Sequence, residues 1–195
     1  MPAPSALILA STSPYRRAQL ERLGLAFECR APGLDEQPFK TRGLAPLDLA
    51  RTLALAKASA VARSAPGALV IGGDQVVALG RELLGKPGSA ERAVEQLERL
   101  AGRTHELHSA VALVGPAGAE VHVESASLTM APWTRAELAA YVQRDRPLDC
   151  AGAYKLEAGG LALFERIRCD DWSAIEGLPL LWLAQRLRAA RGPAS

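Results

Sequence analysis

The sequence contains few cysteines and no long apolar run, and both absences restrict its class. Its three cysteines, Cys29, Cys150 and Cys169, are odd in number and lack Cys-x-x-Cys spacing. This pattern argues against a disulfide framework or a zinc site and predicts reduced thiols that pack as small buried residues. No stretch reaches the ~18 apolar residues of a membrane helix, and the run from Ala6 to Ala10 is too short for a signal peptide. We therefore expect a cytoplasmic protein that does not bind membranes.

The sequence also lacks an excess of charge of either sign. Its 23 Lys and Arg residues face 21 Asp and Glu residues, which gives a formal net charge of +2. This balance argues against a general nucleic-acid binder, so any anion specificity must come from a local cluster of basic residues. Lysine is scarce, since only four of the basic residues are Lys and the other 19 are Arg. The four lysines are Lys40, Lys57, Lys86 and Lys155.

Length and composition indicate one folded domain. The 195 residues, 49% of them hydrophobic and 23% charged, are enough to bury a sizeable core. Short apolar runs alternate with segments of helical periodicity and with hairpin signals, and no internal repeat or linker divides them. We therefore predict a single domain over residues 1–195, of α/β class with a mixed sheet.

Two helix starts are marked by local signals. Ser13 followed by Pro14 has the sequence of an N-cap and a first helical residue, and this helix should run to about Leu23. Thr134 and Glu137 have the spacing of a capping box at the start of a second helix. We expect both helices to begin at these residues.

Strands are predicted from short apolar runs, beginning with Ala6 to Ala10, and a long hairpin is predicted over residues 104–114 and 120–130. Three further predicted strands cover residues 25–31, 68–71 and 161–168. Because glycine is typical of turns, the second of these strands is expected to end at Gly72-Gly73-Asp74. A hairpin around Gly80 should follow it.

The segment Ser11-Thr12-Ser13-Pro14-Tyr15-Arg16-Arg17 lies between a predicted buried strand and a helix start. A helix N-terminus offers free backbone N–H groups, hydroxyl groups add donors, and arginine adds charge and paired hydrogen bonds. This combination suits a phosphate group, and ligands of α/β sheets often lie at the carboxyl ends of strands. An ordinary capped helix with a solvated arginine pair has the same pattern, so the spacing alone leaves both interpretations open.

Two further charged residues stand at apolar positions. Asp74, followed by Gln75, is predicted at the end of an apolar strand, where a carboxylate can bind a metal, accept a proton from water or satisfy a turn. Lys57 lies in the apolar stripe of a helix predicted from Pro46 to about Arg63. A charge at that position must snorkel, pair or meet a ligand. Neither residue by itself decides between these roles.

The segment Gly80-Arg81-Glu82-Leu83-Leu84-Gly85-Lys86 has the spacing of a Walker A phosphate loop. Pro87 follows where that motif needs a Ser or Thr that binds magnesium, and proline also lacks a backbone N–H. We therefore reject a Walker A loop, although Lys86 could still reach a phosphate as a point charge or simply be exposed. His105 and His108 are three apart in a predicted strand and so point to opposite faces, which does not predict a metal site.

Seven short motifs occur in one order over the chain from about Leu7 to Leu187, and together they resemble the Maf family of nucleotide pyrophosphatases. The combination is far more specific than any single motif, and three of the four lysines lie in or beside these motifs. The motifs are Leu9-Ala10-Ser11-Thr12-Ser13-Pro14-Tyr15-Arg16-Arg17, Asp35-Glu36, Ala56-Lys57-Ala58, Gly73-Asp74-Gln75-Val76-Val77, Gly85-Lys86-Pro87, Gly152-Ala153-Tyr154 and Gly177-Leu178-Pro179-Leu180.

The resemblance implies a fold and a reaction. The fold is the α/β fold of Maf and ITPase proteins, with an elongated mixed sheet flanked by helices and two lobes around a central cleft. The reaction is hydrolysis of a nucleoside triphosphate between the α and β phosphates, with Mg²⁺ or Mn²⁺ as cofactor. The implied partner is the nucleotide substrate, and the resemblance also implies a homodimer.

The resemblance also implies a role for each matching residue. Cationic groups would offset the charge of the triphosphate, and a carboxylate would orient or deprotonate water, either directly or mainly as a metal ligand. The phosphate-binding positions are Ser11, Ser13, Arg16 and Arg17. The catalytic positions are Glu36, Lys57, Lys86 and Asp74, with Asp74 as proton acceptor, and the metal-binding positions are Glu36 and Asp74.

Three positions are similar to the branch of the family that acts on 7-methyl-GTP: Tyr15, Gln75 and Glu157. Methylation at N7 puts positive charge on the guanine ring, so Tyr15 can contribute a cation–π contact of roughly 0.5 to 2 kcal/mol. The Glu157 carboxylate could accept both hydrogens of the guanine N1–H and N2–H₂ edge, which UTP and dTTP do not present. Gln75 could add an amide contact. The expected products are 7-methyl-GMP and pyrophosphate.

Two other functions stay open at this point. One is the branch of the family that hydrolyses dTTP and UTP, against which Tyr15, Gln75 and Glu157 argue. The other is a nucleotide-binding regulator, for instance of cell division, that holds its ligand without turnover. Four residues argue against a regulator, since a pure sensor does not need to activate water: Glu36, Lys57, Asp74 and Lys86.

Overall fold

The computed structural model describes residues 6–191, and residues 1–5 and 192–195 of the predicted domain lie outside this description. The described residues form seven strands, seven α-helices and two short 3₁₀-helices. The strands are β1 Leu7–Leu9, β2 Glu28–Cys29, β3 Leu69–Leu79, β4 Glu82–Leu84, β5 Thr104–Gly115, β6 Gly118–Met130 and β7 Phe164–Arg168. The α-helices are α1 Pro14–Glu21, α2 Gln37–Lys40, α3 Pro46–Ala62, α4 Ala90–Leu100, α5 Arg135–Asp145, α6 Ser173–Glu176 and α7 Leu180–Arg191. The 3₁₀-helices are Ala151–Ala153 and Gly159–Leu163.

The strands form one mixed sheet. Its order is β2-β1-β3-β5-β6-β7, and β4 pairs with β3 off this path. Strand β1 is parallel to both β2 and β3, with Leu9 opposite Ile71. Strands β4 and β7 are antiparallel to their neighbours β3 and β6. A mixed sheet flanked by helices confirms the predicted α/β class.

The chain divides into two compact units. Unit 1 contains residues 6–74, 109–124 and 171–191, and unit 2 contains residues 75–108 and 125–170. The core of unit 1 is aliphatic, with Leu9 of β1, Leu20 of α1 and Leu183 of α7 in one buried cluster. In unit 2, α4 packs on α5, and Leu97 and Leu138 of these helices are fully buried. None of the helices within residues 6–191 is long and apolar enough to cross a membrane.

Both predicted helix starts are confirmed. The Ser13 hydroxyl accepts the backbone N–H of Arg16 at 3.4 Å, so Ser13 is the N-cap of α1. At the start of α5, the Thr134 hydroxyl accepts the N–H of Glu137, and the Glu137 carboxylate accepts the N–H of Thr134 at 2.9 Å. These bonds join residues three apart, so the local sequence is sufficient to specify them.

The strand boundaries differ from the prediction in three places. The strand expected over 25–31 is reduced to Glu28–Cys29, because Leu25 and Phe27 pack against the core of unit 1 instead of pairing. The strand expected to end at Asp74 continues to Leu79. The strand expected from residue 161 begins at Phe164, because a 3₁₀-helix precedes it.

The cysteines are less buried than their residue type suggests. Cys29 lies exposed on β2, and Cys150 and Cys169 are partly buried. The expectation of small buried residues was therefore wrong for Cys29. The reason is that β2 is a two-residue strand with both residues exposed.

His105 of β5 is buried inside unit 2. Its Nε2 lies 3.0 Å from the Tyr154 hydroxyl, and its ring packs against the rings of Tyr154 and Phe164. Its Nδ1 is buried and has no hydrogen-bond partner among residues 6–191. Burial lowers the pKa of His105 from 6.5 to about 4. The folded protein therefore keeps this imidazole neutral at pH values where the unfolded chain protonates it.

We expect His105 to make the folded state less stable in mild acid. The contribution of the neutral His105 to the free energy of unfolding is fully present above pH 6.5. It is lost as the pH falls to 4, because only the unfolded chain gains the proton in this range. The loss amounts to about 3 kcal/mol in the free energy of unfolding. Urea unfolding at a series of pH values measures it, with His105→Phe as the comparison. A variant with the same slope between pH 6.5 and 4 as the unaltered protein would contradict this account.

Candidate active site

The N-terminus of α1 follows directly on the buried strand β1. Ser11 is 7% exposed, and its hydroxyl accepts the N–H of Ser13 at 3.1 Å. Ser13 in turn caps α1 through the N–H of Arg16. The predicted phosphate-binding segment is therefore a capped helix N-terminus beside a buried hydroxyl group, which is a favourable position for an anion.

The Arg16 side chain extends from α1 to the backbone of β3. A Cβ atom on Gly73 would lie 3.2 Å from the Arg16 Nε, and this Nε donates to the carbonyl oxygen of Gly177 at 3.3 Å. Burial lowers the pKa of Arg16, whereas the charges of Asp74 and Glu36 raise it. Arg16 thus brings a guanidinium group close to the acidic residues of the predicted site.

Helix α3 packs directly on β3 at Gly72. A Cβ atom at this position would lie 2.2 Å from the carbonyl oxygen of Ala54 and 2.7 Å from the backbone nitrogen of Ala58. Only glycine permits two backbones to approach so closely. This contact places Lys57, the residue before Ala58, next to the centre of β3.

The Lys57 ammonium group lies between two carboxylates. Its Nζ is 2.6 Å from Asp74 Oδ1 and 2.7 Å from Glu36 Oε1. The side chains of Lys57 and Asp74 are 10% and 9% exposed. Among the alternatives that the sequence left open, Lys57 therefore pairs with acidic groups. We call Glu36, Lys57 and Asp74 the charged triad.

Asp74 lies in the middle of β3 and not at its end, which corrects the prediction. Its two preceding glycines are not turn residues here, because Gly72 admits α3 and Gly73 admits the side chains of Leu178 and Arg16. Burial raises the pKa of Asp74 above its usual value, and the charges of Lys57 and Arg16 oppose this rise. A carboxylate with a raised pKa is a stronger proton acceptor once it is ionised.

Glu36 precedes the short helix α2 and is held by two lysines. Its Oε2 lies 2.8 Å from Lys40 Nζ, and its Oε1 contacts Lys57. Burial works to raise the pKa of Glu36, but the hydrogen bonds and charges of both lysines lower it to about 2. Glu36 is therefore ionised at neutral pH. Sequence reasoning assigned no role to Lys40, although its i, i+4 spacing from Glu36 is a signal for such a pair.

Arg17 and Tyr15 flank Arg16 on α1 but have different surroundings. Arg17 is exposed, and its Nε lies 3.0 Å from Glu21 Oε1, one helical turn further along. This hydrogen bond raises the pKa of Arg17. Tyr15 is half-buried. Of the two predicted arginines, the structure places Arg16 at the charged triad and pairs Arg17 within its own helix.

Three predicted site residues belong to unit 2. Gln75 is half-buried and directly follows Asp74 in β3. Lys86 is exposed in the segment between β4 and α4. Glu157 is exposed in the segment between the two 3₁₀-helices. Each lies on the surface or partly on the surface of its unit, where a ligand can contact it.

The two carboxylates of the charged triad fit a divalent metal that binds together with phosphate groups. No three His, Cys, Asp or Glu side chains of residues 6–191 are grouped so that they could hold a metal by themselves. Glu36 and Asp74, however, already share one cation, the Lys57 ammonium. Mg²⁺ commonly takes one or two carboxylates and completes its shell with water and substrate phosphates. The donor set therefore suits a divalent metal that takes its remaining ligands from water or from phosphate groups.

Comparison with known proteins identifies the family of this chain. A family model described as Maf-like protein matches residues 6–190. The chain belongs to the Maf family. The resemblance predicted from the seven motifs is thereby confirmed.

Curated relatives match this Maf chain along almost its whole length. The 7-methyl-GTP pyrophosphatase of Xanthomonas oryzae pv. oryzae (strain MAFF 311018) is 48% identical over 185 residues, which are 94% of this chain and 96% of the relative. The protein of the same name from Bordetella pertussis is 48% identical over 192 residues, 96% of this chain and 94% of the relative. That of Bdellovibrio bacteriovorus is 42% identical over 184 residues, 94% of this chain and 96% of the relative.

Proposed function

We propose that this chain hydrolyses 7-methyl-GTP to 7-methyl-GMP and pyrophosphate, and so removes a modified nucleotide from the pool. The observation that carries the proposal is the 48% identity, over 94% of the chain, to a relative named 7-methyl-GTP pyrophosphatase. The charged triad supports turnover over mere binding, because it holds a buried carboxylate of raised pKa beside a cation.

The triphosphate would bind at the residues that follow β1. The positive end of the α1 dipole would face the phosphates, and the hydroxyls of Ser11 and Ser13 would donate to phosphate oxygens. Arg16 and Arg17 would add positive charge, with Arg17 turning away from Glu21 to do so. Lys86 would supply a further positive charge.

Asp74 would accept a proton from the water that attacks phosphorus. The new bond joins the water oxygen to the α phosphorus. The bond between the α phosphorus and the α–β bridging oxygen breaks, and pyrophosphate leaves with that oxygen. Lys57 would hold Asp74 as a carboxylate before this transfer and face the phosphates during it. Glu36 and Asp74 would hold Mg²⁺ or Mn²⁺. When bound, such an ion offsets phosphate charge and polarises the attacked phosphorus.

Base recognition would come from Tyr15, Gln75 and Glu157. A tyrosine ring favours the positively charged 7-methylguanine over guanine. A carboxylate accepts the two neighbouring N–H donors of the guanine edge, which pyrimidines lack. We therefore propose that these three residues set the substrate preference.

The proposal is tested by pyrophosphate release from 7-methyl-GTP, GTP, UTP, dTTP and CTP, with Mg²⁺ or Mn²⁺ present. We expect the largest kcat/KM for 7-methyl-GTP, and loss of activity when the metal is chelated. A preference for UTP or dTTP would support the pyrophosphatase reaction but contradict the proposed base recognition. Release from none of the five nucleotides would overturn the enzymatic function in favour of a binding protein.

The role of Tyr15 has a test of its own. We expect Tyr15→Ala to lower kcat/KM for 7-methyl-GTP by about 2- to 30-fold more than for GTP, because a cation–π contact contributes roughly 0.5 to 2 kcal/mol. Tyr15→Phe keeps the aromatic face and should retain most of the preference. Equal losses for both nucleotides in Tyr15→Ala would remove the cation–π explanation.

We further propose that the chain acts as one domain, as a homodimer and in the cytoplasm. The match of the family model over residues 6–190 supports the single domain, and the homodimer rests on the resemblance of the motifs. Sedimentation of the purified protein, whose chain mass is 20.6 kDa, measures the oligomeric state.

A further inference from the structure

Glu157 lies in a tight loop that is closed by two hydrogen bonds to one carbonyl group. The loop covers residues 155–160, and we call it the Glu157 loop. The carbonyl oxygen of Lys155 accepts the N–H groups of Ala158, at 3.2 Å, and Gly160, at 2.9 Å. A Cβ atom on Gly160 would lie 2.4 Å from that oxygen, so only glycine allows this closure. Glu157 is exposed at the tip of the loop.

Two side chains at the C-terminal end of α5 hold the Glu157 loop on either side of Glu157. The hydroxyl of Tyr141 accepts the N–H of Lys155 at 2.9 Å. One turn later, Oδ2 of Asp145 accepts the N–H of Gly159 at 2.8 Å. Both acceptors are largely shielded from solvent, since Tyr141 is 4% exposed and the Asp145 side chain 6%. We call Tyr141 and Asp145 the α5 anchor.

The geometry of the α5 anchor is constrained from several sides. The Asp145 carboxylate is oriented by Arg144, whose Nε donates to Oδ1 at 2.6 Å and whose Nη2 donates to Oδ2 at 3.4 Å. The same Oδ2 accepts the shorter hydrogen bond from the loop. A Cβ atom on Gly159 would lie 2.6 Å from Asp145 Oδ2 and closer still to Arg144, so the loop reaches the helix without a side chain between them. The Lys155 ammonium adds a hydrogen bond to the carbonyl oxygen of Arg146 at 3.2 Å.

We propose that Tyr141 and Asp145 are positioning residues for base selectivity, acting through Glu157. This inference rests on the proposed function, in which Glu157 accepts two N–H groups of the guanine edge. A paired acceptor of this kind discriminates only when it is held within about 0.5 Å of its working position. The α5 anchor ties the backbone before and after Glu157 to one helix, which limits the movement of its carboxylate.

The first test is Tyr141→Phe, which keeps the ring and removes the acceptor for the Lys155 N–H. We expect kcat/KM for 7-methyl-GTP to fall about tenfold through KM, with kcat unchanged and kcat/KM for UTP unchanged. The selectivity for guanine over pyrimidine therefore falls about tenfold. Asp145→Ala should act in the same way, and Asp145→Asn, which keeps an acceptor oxygen, should retain most of the selectivity.

Thr134→Ala is the matched control for a merely structural effect. It removes the N-cap hydroxyl at the opposite end of the same helix and does not touch the Glu157 loop. We expect it to lower the thermal midpoint of unfolding and to leave the ratio of kcat/KM for 7-methyl-GTP and UTP unchanged. A selectivity change in Thr134→Ala as large as that in Tyr141→Phe would overturn the positioning role.

The double variant Glu157→Ala with Tyr141→Phe decides whether the α5 anchor acts through Glu157. If it does, Tyr141→Phe has no further effect on selectivity once the carboxylate is gone. Additive losses, or equal losses for both nucleotides in Tyr141→Phe, overturn the inference and leave the proposed function intact. If Glu157→Ala by itself leaves selectivity unchanged, the proposed base recognition fails and the inference fails with it.

Discussion

Asp74→Asn is expected to lower kcat for 7-methyl-GTP by about 10²- to 10⁴-fold, because it removes the proposed proton acceptor. Asparagine has nearly the same shape and keeps an oxygen that can accept from Lys57. Lys57 also retains its contact with Glu36. The binding of the nucleotide should therefore persist, with a dissociation constant close to that of the unaltered protein.

The two measurements separate two roles for this carboxylate, proton acceptor and metal ligand. Turnover and binding are measured on the same protein preparation, by pyrophosphate release and by calorimetry with a nonhydrolysable nucleotide. Glu120→Gln serves as a control, since Glu120 is an exposed carboxylate of unit 1 that pairs with Arg186. Unchanged turnover in Asp74→Asn would disprove the proton-acceptor role. Loss of metal-dependent binding together with turnover would make Asp74 chiefly a metal ligand.

Gly72→Ala is expected to destabilise the protein by about 3 kcal/mol or more, at the upper end of what overpacked substitutions cost. The new Cβ atom would lie 2.2 Å from the carbonyl oxygen of Ala54, and this neighbour is backbone of α3 and cannot rotate away. Helix α3 must then move off β3. Because Lys57 belongs to this helix, its contact with Asp74 should weaken, and turnover should fall in parallel.

Gly85→Ala is the matched control for this effect. A Cβ atom on Gly85 meets no atom of the described part of the chain within 4 Å, so the same chemical change creates no collision there. Its unfolding midpoint in urea should stay close to that of the unaltered protein, whereas Gly72→Ala should unfold at much lower urea or fail to fold. Equal midpoints for the two variants would contradict the close approach of α3 and β3.

The helix starts could be predicted because their determinants are local. Ser13 with Pro14, and Thr134 with Glu137, form hydrogen bonds within three residues, so the order of residue types is sufficient. The family could be predicted for a related reason. Motifs that occur in a particular order along one chain are visible in the sequence, whatever the distances between them in space.

The continuation of β3 could not be predicted in this way. Two adjacent glycines before an aspartate have the composition of a turn. Here Gly72 is needed for the approach of α3, and Gly73 lies against the Arg16 side chain. The same residues therefore extend a buried strand, and the partners that determine this lie far away in the sequence.

The charged triad also depends on contacts that could not be predicted from the sequence. A lysine in an apolar helix stripe raised the question of its partner, and the sequence allowed a ligand, solvent or an acid. The structure brings Asp74 and Glu36 to Lys57 from two other elements, and adds Lys40 to Glu36. The spacing of residues along the sequence contains no information on which strand a helix packs against or on which side chains then come into contact.

The sequence by itself determined the family, the residue types available for chemistry and the helix caps, because each depends on residue order and on short-range hydrogen bonds. Only the tertiary structure decided which charges meet and how strongly their pKa values shift. Burial raises the pKa of Asp74 and two lysines lower that of Glu36 to about 2, so two similar carboxylates differ in proton affinity. Solvent exclusion and the distances between charges cause this difference. The Lys40–Glu36 pair joins residues four apart in the sequence, but the contact of Lys57 with Asp74 arises only when α3 packs on β3.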